Sequence, residues 1–411
     1  MTETALLISG LGLLAYALFA RRLASTVLTG PMMFLALGLA LDAFQVVDIV
    51  EAERALHILA ETTLVIVLFS DAAALDLDRL RRRFSWPERM LVLGLPLAML
   101  LGTIVGVALL PGWPIWEVAL LAAILAPTDA ALGQAVVTDP RVPPRVREAL
   151  AVESGVNDGM ALPAVLMFAC LAVGGVHDQQ QSSWLVFALE QIGLGTLTGV
   201  AIGAAGAFAL STALERGLSG RAFEGVGTFA LAGLCYLCAS EIGGNGFIAA
   251  FTGGLVYGRI MAQRSHFVFE FMESEGQLLM LGTFLLIGAS MAAEAIAAAE
   301  TAWIVLILAS LLVVRPVAIW LSLTGSDAPP PVRAFMGWFG PRGLATALFA
   351  LIVLDEFEML THGHEILTIA VLAVLASTLL HGVTAAPGAG WIARRCEAEP
   401  PTEAVRAGET P

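Results

Sequence analysis

The chain has 411 residues, 58% of them hydrophobic and 14% charged, with a mean hydropathy of +0.84. That composition excludes a water-soluble globular domain and points to an all-α polytopic membrane protein. The net charge of −14 sits mostly in short loops and the tail and says little about partners; no nucleic-acid partner is expected.

A membrane-crossing helix needs about 20 mainly apolar residues, and about thirteen such stretches follow one another. They begin near Thr4, Ser25, Ala55, Arg89, Ile115, Val146, Ser183, Phe223, Gly246, Gly276, Ala302, Val332 and His364. The first lacks a signal-peptide cleavage pattern and is expected to stay in the protein. All 21 basic residues are arginine. Numbering the breaks alternately gathers them on one side: Arg21 and Arg22 after the first span, Arg79 to Arg89 after the third, Arg141, Arg145 and Arg147 after the fifth, and Arg394 and Arg395 at the end. The opposite loops hold Asp48, Glu51, Glu53, Glu241, Glu300, Asp355 and Glu356, with Arg54 their only arginine. Since arginine collects on the cytoplasmic side, the amino terminus is expected outside and the carboxyl terminus inside, in the inner membrane.

Span three carries Glu61, Thr62 and, near its inner end, Asp71. Span five is interrupted by Ala126-Pro127-Thr128-Asp129. Proline removes a backbone hydrogen bond, and non-helical backbone survives at membrane depth only where it lines a protected cavity. Span six reads Glu153-Ser154-Gly155-Val156-Asn157-Asp158-Gly159. Helical spacing stacks Glu153 on Asn157, Ser154 on Asp158 and Gly155 on Gly159, and the glycine stripe predicts the close approach of another backbone.

Beyond it, Glu190 lies early in span seven, and Cys235 and Cys238 sit in an apolar run where they read as packing residues rather than a redox pair. Arg315-Pro316 interrupts span eleven, where a structural role with carbonyls or a snorkelling geometry is favoured. Span twelve is broken by Gly340-Pro341-Arg342-Gly343. His362, His364 and Glu365 read as a solvated outer loop. Residues 387–411 turn polar and predict a short disordered cytoplasmic tail with no soluble domain attached.

The two breaks are seven spans apart, so the broken helices run in opposite directions, as inverted repeats require. At about 1.5 Å per residue, Asp158 lies roughly 18 Å, Asp129 roughly 21 Å and Arg342 roughly 15 Å into their spans. All three fall near the middle of a hydrocarbon core about 30 Å thick. An ionised carboxylate there costs on the order of 3 kcal/mol, so several at one depth need an offsetting function.

Thr128-Asp129 on a broken fifth helix, Glu153-Ser154-Gly155 with Asn157-Asp158 on the sixth, and Gly340-Pro341-Arg342-Gly343 on the twelfth resemble the NhaP-type branch of the monovalent cation/proton antiporters. The resemblance covers nearly the whole apolar region, residues 1–386. It implies that Asp158 exchanges protons for cation, that Thr128 and Ser154 supply oxygens to a sodium ion with Asp129 helping to form the site, and that Asn157 stands beside it. It also implies that Glu153 pairs with Arg342 as a brace and that Asp71 is a further site position. The implied assembly is a homodimer in which a core of spans four to six and eleven to thirteen slides against a scaffold of spans one to three and seven to ten.

Sodium and protons competing for Asp158 would couple the two fluxes by occupancy, with no cofactor. Asn157 cannot titrate and lysine is absent, so one cation per proton, electroneutral, is expected. A potassium/proton antiporter with the same machinery is the alternative. An intramembrane aspartyl protease is remote, because its Gly-x-Gly-Asp motif is missing, and opposed broken helices fit alternating access better than a passive channel.

Overall fold

In a computed structural model the described residues are 3–23, 28–75, 86–174, 181–261, 266–357 and 359–397, and all their regular structure is helical. Arg79, Arg81, Arg82, Arg83 and residues 398–411 of the expected tail lie outside them. In chain order the helices are α1 (Glu3–Leu23), α2 (Gly30–Ala43), α3 (Ile49–Ala73), α4 (Trp86–Leu109) and a split α5, with halves α5a (Ile115–Ile124) and α5b (Ala130–Val137). There follow α6 (Pro144–Gly174), α7 (Gln181–Glu215), α8 (Arg221–Glu241), α9 (Gly246–Met261) and α10 (His266–Ser290). After a short turn of helix at Ala292–Ala297 come α11 (Thr301–Ser322), the split α12, with halves α12a (Pro330–Trp338) and α12b (Leu344–Glu356), and α13 (Gly363–Glu397). Eight of the described helices are long and apolar enough to cross a membrane, and α2, α5a and α9 are shorter apolar helices.

Local chemistry sets the ends. Thr29 and Asp48 cap α2 and α3 by accepting from backbone N–H groups of the first turn. The two halves share their irregularities. A π-helical turn interrupts α4 at Met90–Gly94 and α11 at Ser310–Val314, each just before a proline, Pro96 and Pro316. The wider turn relieves the clash a proline ring makes with the preceding turn. Each of these helices is followed by a broken one, α5 or α12, and then by a long one, α6 or α13.

Two expectations change. Pro387 does not end α13, which continues to Glu397 because Ala385, Ala389 and Ile392 bury a stripe with Val146, Phe335 and Phe339; packing overrides local propensity. The glycine stripe of α6 admits side chains rather than a backbone. Gly155 faces Asp71 of α3, and a Cβ at Gly159 would overlap the Phe251 ring of α9. Direct backbone approach occurs instead where Gly254 and Gly258 of α9 meet the carbonyls of Phe69 and Ala73 on α3.

Candidate ion site at the crossing of two broken helices

The unwound segments of α5 and α12 cross. The Asp129 N–H donates to the Pro341 carbonyl at 2.8 Å. Beyond the crossing start α5b and α12b, whose first N–H groups have no partner within their own helices and whose dipoles favour negative charge. The Asp129 carboxylate serves both: Oδ1 accepts from Leu132 N–H at 3.1 Å and Oδ2 from Leu344 N–H at 2.7 Å. Gly343 makes the room, since a Cβ there would overlap that carboxylate.

The opposite polarity is met by arginine. Buried Arg342 donates through Nη1 to the carbonyls of Ala126 and, at 2.9 Å, Pro127, at the end of α5a. It therefore does not form the expected brace with Glu153. Arg315 takes that place, donating through both Nη atoms to the two carboxylate oxygens at 3.1 Å. The exchange of roles has a steric cause: a Cβ at Gly340 would overlap the Arg315 guanidinium, so the break in α12 is what admits Arg315 to the interior. Arg315 lies about 21 Å into α11, so the depth estimate used for Arg342 would have found it.

Thr128 sits among the α6 side chains. Asn157 Nδ2 donates to Thr128 Oγ1, which lies 3.2 Å from both Glu153 Oε2 and Ser154 Oγ. One hydroxyl proton can serve only one of the last two contacts. Asn157 Oδ1 has no hydrogen-bond partner among the described residues.

Asp158 differs. It is buried, its Oδ1 has no partner among the described residues, and the charged groups that act on it are the carboxylates of Asp129, Asp71 and Glu153. It opens onto a cavity of about 410 Å³ that is also lined by Asp71, Asp129, Gln134, Gly155 and Gln277. Exposed Ala74, Thr138 and Ala151 lie on that cavity, at the end of the bundle that carries the arginine-rich loops. The structure thus gathers Asp158, Asp129 and Asp71 on one cavity, and sets Thr128, Ser154 and Asn157 in a hydrogen-bonded layer outside its lining. Gln134 and Gln277 were missed, for an amide within an apolar run carries no motif.

The other polar groups lie outside that lining. The Tyr236 hydroxyl donates to Glu61, and Thr62 donates to the Ile58 carbonyl. His362 is not simply solvated. Its Nδ1 lies 2.6 Å from buried Glu117, its N–H also reaches that carboxylate, and its ring stacks on Trp113. Cys235 is a buried free thiol against Gly253, and no metal-ligating cluster of His, Cys, Asp and Glu is found among the described residues.

Proteins similar to this chain carry the names of cation/proton antiporters. The solved structure of the sodium proton antiporter MjNhaP1 from Methanocaldococcus jannaschii superposes with a TM-score of 0.77 over 96% of this chain and 99% of that one, at 20% identity. The K(+)/H(+) antiporter NhaP2 of Shewanella sp. (strain MR-4) is 25% identical over 268 residues, 64% of this chain and 45% of its own. The K(+)/H(+) antiporter NhaP of Alkalimonas amylolytica is 26% identical over 354 residues, 82% of this chain and 57% of its own. The matched region thus spans about half the length of these curated relatives. Residues 9–390 match the family described as sodium/hydrogen exchanger, transmembrane. The chain belongs to the transmembrane sodium/hydrogen exchanger family.

Proposed function

We propose that this chain is a secondary transporter that exchanges sodium, or lithium, for protons one for one, with cation and proton taking turns on Asp158. One observation carries the proposal: a buried carboxylate with an unpartnered oxygen lies on a cavity shared with two further carboxylates. A hard monovalent cation prefers such oxygens, and a proton competes for the same atom. Asp129 keeps its carboxylate on two helix starts and lends the site fixed negative charge. Asp71 completes the acidic lining, while Thr128 and Ser154 supply oxygens when Asn157 and Glu153 release them.

The moving unit comprises α4 to α6 and α11 to α13, the scaffold α1 to α3 and α7 to α10, and the protein works as a homodimer in the inner membrane with its amino terminus outside. The cavity then faces the cytoplasm. At the other end His57 of α3 meets Asp355 of α12b at 2.8 Å, a contact between scaffold and moving unit that closes the outer side. Carrying an empty, ionised Asp158 across is the costly step, which ties one flux to the other.

In proteoliposomes holding a pH-sensitive dye, sodium should move protons, Asp158→Asn should abolish that while the protein stays folded, and an imposed voltage should leave the rate unchanged. Persistent exchange by Asp158→Asn would remove it from the mechanism, and voltage-driven proton flux would remove the one-for-one stoichiometry. The potassium/proton reading has its own support in the names of the two curated relatives. Sodium, lithium and potassium compared in the same vesicles separate the two.

A further inference from the structure

α13 carries Ser377, His381, Thr384 and Gly388 at i, i+4, i+7 and i+11, one stripe of a helix. The whole stripe engages α12 at its break. Arg342 N–H donates to Ser377 Oγ at 2.6 Å, and Ser377 Oγ lies 3.1 Å from His381 Nδ1. His381 Nε2 lies 3.0 Å from the Trp338 carbonyl, the Trp338 indole N–H donates to Thr384 Oγ1 at 3.1 Å, and a Cβ at Gly388 would overlap the Phe339 ring. None of the four lines the cavity that holds Asp158.

The direction of this chain follows from the neutral ring protonated on Nε2. A carbonyl can only accept, so Nε2 must carry the proton given to Trp338. In the neutral ring Nδ1 then accepts, and the Ser377 hydroxyl is the donor within reach. The Ser377 oxygen is left free to accept from Arg342. With the ring neutral and Nε2 protonated the chain runs from Arg342 N–H to Ser377 to His381 to the Trp338 carbonyl, with the Ser377 carbonyl also 3.0 Å from Nδ1, and it splints the break from its last helical carbonyl to its central amide.

The peptide joining Pro341 to Arg342 is a rigid trans plane, so its C=O and N–H point opposite ways. Its carbonyl takes the N–H of Asp129, while its N–H is held by Ser377. Two residues further on, Leu344 N–H holds the Asp129 carboxylate. Turning this one plane therefore moves the carbonyl that holds the Asp129 N–H, two residues before the N–H that holds its carboxylate.

We propose that Ser377 and His381 are positioning residues for cation exchange: through the Pro341–Arg342 peptide they set where Asp129 stands beside Asp158. This rests on the exchange function proposed above. Ser377→Ala, Ser377→Thr and His381→Ala are compared with the unaltered protein for apparent KM for sodium and maximal rate in proteoliposomes, and for amide hydrogen exchange over residues 342–346. Losing one neutral hydrogen bond is worth about five- to tenfold. Ser377→Ala and His381→Ala should raise the apparent KM by about that factor and speed amide exchange at 342–346 by at least as much, whereas Ser377→Thr, which keeps the hydroxyl, stays within about twofold of the unaltered protein on both. Unchanged amide exchange at 342–346, or an unchanged KM with only the folded fraction reduced, overturns the proposal, as does Ser377→Thr matching Ser377→Ala. Should the unaltered protein move no protons with any cation, the exchange function fails, and the hydrogen-exchange arm still decides the positioning.

Discussion

The two broken helices meet their needs by different chemistry. The break in α5 faces α6, where Thr128 is engaged by Glu153, Ser154 and Asn157, with Asp158 one residue beyond. The break in α12 faces α13, where the partners are Ser377, His381 and Thr384, and the carboxylate that reaches it, Asp129, comes from α5. Aligned on their prolines, Pro127 and Pro341, the two segments put Thr128 opposite Arg342 and Asp129 opposite Gly343. One half supplies the acid and the other the space it occupies, so repeat symmetry has been kept in backbone and divided in side chains. In the proposed exchange the α5–α6 half changes its charge and the α12–α13 half holds still.

The sharpest way to break this comparison is to remove the cations. Arg315→Met leaves Glu153 buried without its partner and should cost about 3–5 kcal/mol, seen as lost thermal stability in detergent, while Arg315→Met with Glu153→Gln recovers most of it. Arg342→Met loses carbonyl contacts but strands no carboxylate and should cost about 2–3 kcal/mol. The reverse order would return the brace to Arg342. Gly343→Ala crowds the Asp129 carboxylate and should cost about 1–3 kcal/mol with a fall in exchange, whereas Gly133→Ala on α5b meets open space and should be near neutral.

Smaller effects test the scaffold contact. His57→Ala removes an exposed pair worth at most about 1 kcal/mol, so labelling of a cysteine placed on the outer side of the site should rise by no more than about fivefold. Asp327 should matter least. Arg145 and the Trp86 indole hold its carboxyl below the usual carboxylate range. Its contribution is therefore present above about pH 4 and lost as the pH falls through the lowered native value, and because the pair is exposed Asp327→Asn should cost about 0.5 kcal/mol near neutral pH and progressively less as the pH falls below about 4.

Much of this was legible before any coordinates. Hydropathy located the helices within a few residues for most spans, and the prolines at 127 and 341 located both breaks, because a ring without an N–H leaves an unmistakable mark in an apolar run. Depth counting brought Asp129, Asp158 and Arg342 to one level. What stayed hidden depends on rotation about helix axes. Depth alone allowed either Arg342 or Arg315 to reach Glu153, and which guanidinium turns toward it is set by helix rotation, so the partner of Glu153 was misassigned. The Ser377, His381 and Thr384 stripe looks like ordinary small polar residues until α12 lies against it. The end of α13 was misjudged because Pro387 carries a strong local signal and the buried faces of Ala389 and Ile392 a weak one.

A carboxylate that ends two half-helices at once acts as a rivet. α5b and α12b are pinned through Asp129 and cannot slip past each other without unseating both. Under the proposed mechanism, a displacement that carries Asp158 from one face to the other takes both unwound segments as a single piece. On the proposed division into moving unit and scaffold, the border runs where α6 meets α3 and α9, with Gly155 beside Asp71 and Gly159 beneath Phe251.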